Sequence, residues 1–145
     1  MFNPVASRSA SAYKRVGVET SISSADPHKL VTLLFDALLQ ALGSARLAMQ
    51  SGDIGLKGLK IGSAVRILED GLMAPLNLQE GGELAVNLKN LYNYCVTQIT
   101  LANVRNDVAG LEEVSRLIGV VASGWKEING QGPAYLKPIA ASGAV

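Results

Sequence analysis

Four stretches of helical apolar periodicity, each fenced by a capping residue or a breaker, constrain this chain more than anything else in its sequence. Asp26 can cap the free N–H groups of a helix whose first position is Pro27, where a missing donor costs nothing. From there Leu30, Val31, Leu34, Phe35, Leu38, Leu42, Ala45 and Met49 fall in one broad arc at about 100° per residue, and the helix ends near Gly52. Asp53 caps a second helix running to Leu72 or Ala74, where Pro75 forbids much continuation; its core stripe is Ile54, Ile61, Val65, Leu68 and Leu72. A third helix follows Gly81-Gly82, with Glu83 suited to the positive end of the dipole and Leu84, Leu88, Leu91, Cys95, Ile99 and Ala102 on a heptad-like seam. Asp107 can cap a fourth, with Leu111, Val114, Ile118, Val121, Trp125 and Ile128 on one face and Glu112 and Glu113 favourably near its start. The connections at Gly52 and Asn106 are so short that consecutive helices run antiparallel, which predicts an all-α antiparallel four-helix bundle.

The ends read differently. Residues 1–25 carry six serines and no helical period, an arm that is flexible or docks on the domain, has room for a short extra helix, and offers Tyr13, Val16, Val18 and Ile22 as anchors. Residues 130–145 are rich in Gly, Pro and Ala and read as a flexible tail, leaving 26–129 as the domain. At 145 residues the chain fits one core.

Charge narrows the function. With 13 basic and 12 acidic residues spread along the chain, no basic stripe is available to neutralise phosphates, so nucleic acid is not an expected partner. One cysteine and one histidine make neither an internal disulfide nor a metal cluster, a composition suited to the reducing cytoplasm, and no cofactor is expected. The longest apolar stretch, Leu30–Leu39, is broken by Thr32 and Asp36, so no membrane insertion is expected. His28 reads as a surface residue of the first helix with no nucleophile motif beside it, and Cys95 as a small hydrophobe of the core seam. Catalysis is not expected.

The mean hydropathy of +0.24 is high for a soluble bundle, and apolar residues lie off the core seams. On the second helix these are Leu56, Ile67 and Ala74; on the third, Val86, Tyr94, Leu101 and Val104. Two facing second stripes make a groove suited to an amphipathic helix, unless the arm or a neighbouring helix covers them. Gly55, Gly58, Gly62 and Gly71 within the second helix predict close packing there, or else a soft helix.

Four runs stand in register: Ala12-Tyr13; Asp26 to Val31 with Leu34-Phe35-Asp36; Gly81 to Ala85 through Asn87-Leu88 and Leu91-Tyr92; and Leu101-Ala102-Asn103 through Asn106-Asp107, Glu112-Glu113-Val114 and Trp125. Together they resemble the FliS family of flagellar secretion chaperones. The resemblance implies a cytoplasmic chaperone that binds the disordered C-terminal segment of flagellin, prevents its premature polymerisation and keeps it deliverable to the flagellar export gate. It also implies that Tyr13 belongs to a segment that closes the groove or hands over to the gate. Ala37 and Cys95 stand where the family commonly has glycine and methionine, and Pro75 is unusual. The expected partner contacts are Tyr13, Ile22, Leu56, Ile67, Tyr94, Leu101 and Val104, with no metal ligand. A homodimer is compatible with the sequence, and the competing reading is a regulatory bundle that sequesters another partner such as an anti-sigma factor.

Overall fold

The structure is a computed structural model that describes residues 26–128. Its first helix, α1 (Pro27–Ser51), begins where the Asp26 carboxylate accepts from the N–H groups of His28 and Lys29 at 3.1 and 3.4 Å. It stops at Gly52, whose φ of 79° is a left-handed conformation that a Cβ would strain. Asp53 Oδ1 then accepts from the Leu56 N–H at 3.1 Å and opens α2 (Ile54–Arg66). The chain runs on without a break into a π-helical segment, Ile67–Met73, closed by an N–H of Ala74 donating to the Glu69 carbonyl five residues back. After a loop folded around Asn77, α3 (Gly82–Arg105) returns, ends on the left-handed Asn106, and α4 (Val108–Ile128) starts directly after Asp107.

Helix α1 packs on α2, the π segment and α4, while α3 packs on α4, α2 and the π segment. The four helices of the described residues therefore form a ring with α1 and α3 diagonal, the antiparallel bundle that the short connections predict. Every residue of the α1 arc is buried, and Leu34, Leu38 and Leu42 share one apolar core with Ile67, Leu68, Ile99, Leu111 and Ile118. Helix α1 is also long and apolar enough to cross a membrane, but its apolar arc is spent on this core.

Three positions differ from the periodic reading. Ile54 and Leu84, assigned to core seams, are 77% and 52% exposed: both lie in the first turn of their helices, where Lys57 and Ala85 are the residues turned towards a neighbour. Ile67, assigned to the outward stripe of α2, is buried: at about 100° per residue it lies only about 60° from the buried Ala64, and Ile67, Leu68, Gly71 and Leu72 all face inward. The glycines divide. A Cβ on Gly71 would lie 3.0 Å from Leu34 Cδ1, so the π segment owes its close seat on α1 to the missing side chain. Nothing crowds Gly58, and Gly55 and Gly62 meet only single side-chain atoms beyond 3.5 Å; these cost the helix about 0.5–1 kcal/mol each without a packing return. The arm, with Tyr13 and Ile22, and the tail lie outside the described residues.

Candidate functional site

At the end of the bundle where α1 and α3 begin and the π segment and α4 finish, the four elements part around a cavity of about 180 Å³. Val31 and Phe35 of α1, Gly71 and Leu72 of the π segment, and Leu76 after it form one side. Leu84, Leu88 and Tyr92 of α3 and Val121, Gly124, Trp125 and Ile128 of α4 form the other. The local sequence explains the opening. Gly124 brings no side chain to its lining and a Cβ there would meet nothing within 4 Å, while the place of a side chain at Gly71 is taken by Leu34. A shallower cleft of about 330 Å³ shares Leu76 and continues past Met73 and Leu78 to a polar edge at Glu69 and Lys89. An apolar hole beside a groove with a charged lip accepts an anchoring hydrophobic side chain and then the polar chain that follows it.

One wall is unusually well fixed. The Trp125 indole stacks on His28, ring centroids 4.8 Å apart and 14° from parallel. Its Nε1–H donates to the His28 carbonyl at 3.0 Å, and His28 Nε2 lies 2.8 Å from the Trp125 carbonyl. A carbonyl only accepts, so Nε2 carries the proton. This half-buried clasp corrects the expectation that His28 is a plain surface residue. On the outer side of the same α1–α4 contact, Lys126 Nζ reaches Asp36 Oδ1 at 3.6 Å, an exposed pair contributing at most about 1 kcal/mol.

The expected contact residues do not gather into one groove. Tyr94 is 42% exposed and donates its hydroxyl to Glu113 Oε2 at 3.0 Å, a bond to the carboxylate that raises its pKa above the ordinary value. That flank of α3 faces α4, and the half-buried Leu101, seven residues on, shares it. On the other flank Lys57 Nζ bonds the Asn103 carbonyl at 3.2 Å and Asn106 Oδ1 at 3.1 Å, drawing the first turn of α2 to the last turn of α3. Leu56 and the 78% exposed Val104 lie at that end, remote from the cavity, and Ile67 is in the core. Sequence reasoning missed the cavity because its rim residues, Leu84, Leu88, Val121 and Ile128, look like core positions in a periodic plot.

The reactive groups are quiet. Cys95 is buried on the core side of α3, and burial, with Glu113 nearby, pushes its thiol up to about 11, so it stays protonated and inert. Among the described residues no group of three or more His, Cys, Asp or Glu is placed to hold a metal ion.

Comparison with known proteins adds a sequence-wide likeness. The family described as flagellar protein FliS matches residues 9–132. The chain is 42% identical over 118 residues to the flagellar secretion chaperone FliS of Salmonella typhimurium, covering 81% of this chain and 87% of that protein. It is 43% identical over 117 residues to the flagellar secretion chaperone FliSB of Pseudomonas aeruginosa, covering 81% and 92%. With FliS of Vibrio cholerae the identity is 39% over 120 residues, covering 83% and 88%.

Proposed function

This chain belongs to the FliS family of flagellar secretion chaperones, and from that premise we propose that it is a cytoplasmic export chaperone that binds the disordered C-terminal segment of flagellin. The observation that carries the reading is the apolar cavity between the helix ends, with a second cleft beside it that shares Leu76 as a wall. A disordered segment loses its conformational freedom on binding, and burying apolar side chains over a long path offsets that loss while leaving release easy. One aliphatic or aromatic side chain of the segment fills the cavity. Its neighbours run along the cleft and over exposed apolar positions, with Leu56, Tyr94, Leu101 and Val104 as peripheral contacts, and Tyr13 and Ile22 of the arm as further ones. Held this way, the segment is withheld from polymerisation until it reaches the flagellar export gate. The work asked of the protein is binding, not turnover.

Calorimetric titration with the C-terminal segment of flagellin from the same organism tests the reading. The expected result is 1:1 binding with a large negative heat-capacity change, lost in a Leu84→Asp, Leu88→Asp variant whose helicity is intact by circular dichroism. Absence of binding by the unaltered protein would refute it.

A further inference from the structure

An apolar cavity of about 180 Å³ walled on one side by an indole should not stay open unaided. Protein interiors pack to high density, and atoms lining a void forgo dispersion contacts, so a side chain free to turn would fill it. Trp125 is 4% exposed and lines the cavity near the end of α4. His28, in the first turn of α1, grips it on three sides. Its Nε2–H reaches the Trp125 carbonyl at 2.8 Å, its own carbonyl holds the indole N–H at 3.0 Å, and its ring lies flat against the indole face. The two residues are 97 positions apart, and the clasp joins the beginning of the first helix to the end of the last.

We propose that His28 is a positioning residue for the cavity: it holds the Trp125 indole back as a fixed wall, so that the cavity is open before any partner arrives. His28 does not line the cavity, and its effect on binding passes through the indole. The consequence for partner affinity rests on the reading of the cavity as the flagellin anchor, whereas the preformed state of the cavity does not. A site organised on folding spares the partner the cost of turning the indole aside.

Benzene is a suitable probe because apolar cavities of about this size take it up. Trp125 is the chain's one tryptophan, so its emission and anisotropy report on this wall alone. The unaltered protein should bind benzene saturably, with a shift in Trp125 emission. His28→Ala keeps the backbone carbonyl that accepts from the indole but loses the Nε2–H bond and the stacked ring, and should bind benzene about fivefold more weakly, with a lower anisotropy as the indole gains freedom. If His28→Ala fails to fold, His28→Leu, which fills the space but removes both the donor and the stacked ring, carries the same expectation. Failure of the unaltered protein to bind benzene overturns the proposal. So does a folded variant that melts earlier yet binds benzene as the unaltered protein does, because the histidine is then only structural. Weaker benzene binding together with unchanged affinity for the flagellin segment supports the clasp and places the segment elsewhere, refuting the cavity as its anchor.

Discussion

Replacing Gly124 by leucine should make the protein more stable and a poorer binder at once. Gly124 lies in α4 on the lip of the cavity, and a Cβ built there meets nothing within 4 Å. Removing a glycine from a helix interior gains about 0.8–1 kcal/mol, and any part of the isobutyl group that enters the cavity adds to this. For a domain of this size about 1 kcal/mol corresponds to a rise in Tm of about 4 °C. The same group then occupies the space meant for the partner's anchor. Excluding one buried Leu- or Phe-sized side chain forfeits about 1.5–3 kcal/mol, a loss of roughly ten- to one-hundredfold in affinity. Gly119→Ala is the control, since Gly119 is equally uncrowded in the same helix but does not line the cavity; it should raise Tm with affinity unchanged. Scanning calorimetry and titration with the flagellin segment read the two effects separately. A Gly124→Leu protein with raised Tm and undiminished affinity would refute the reasoning.

Other perturbations probe the frame around the site. Gly71→Ala should destabilise by about 1–3 kcal/mol in urea melts despite better helix propensity, because the new Cβ presses on the fully buried Leu34; an unchanged midpoint would mean that Leu34 gives way. Asp26→Ala should cost about 1 kcal/mol through loss of the cap on His28 and Lys29 N–H, measured the same way. Cys95 should resist a thiol reagent at pH 8 in the native state and react promptly in denaturant. Its folded pKa of about 11 lies above the ordinary 9.0, so the unfolded chain releases the proton first; the thiol's contribution is therefore a loss of stability as pH rises above about 9, seen in a Cys95→Ala comparison at pH 8 and 10.

Periodicity and capping chemistry made most of the bundle legible. Asp26, Gly52, Asp53 and Asn106 mark real helix ends because each solves a local problem, an unpaired N–H or a left-handed turn. The α1 arc and the Leu111, Val114, Ile118 face of α4 are buried as read, since long amphipathic repeats leave one way to hide. Ile54 and Leu84 were misplaced because a periodic plot of apolar residues does not tell which residue of a first turn meets the neighbour, here Lys57 and Ala85. Ile67 was misplaced because the inward arc is broad here, taking in Ala64 and Ile67 as well as Leu68. The flank of Tyr94 depends on which neighbour stands on which side, a property of the ring and not of one helix. The clasp of His28 with Trp125 has no local signature, and the cavity lies between four elements, with Gly124 on its lip bringing no side chain to it.

The central claim is that flagellin's C-terminal segment anchors in the cavity at the helix ends. Photo-crosslinking tests it most directly, with a benzophenone amino acid placed in turn at Leu84, on the cavity rim, and at Val104, on the exposed face at the other end of α3. A flagellin adduct that maps to the C-terminal segment and forms far more strongly from position 84 than from 104 is the expected result. Efficient crosslinking from 104 with none from 84 would contradict the account and move the anchor to the far end of the bundle.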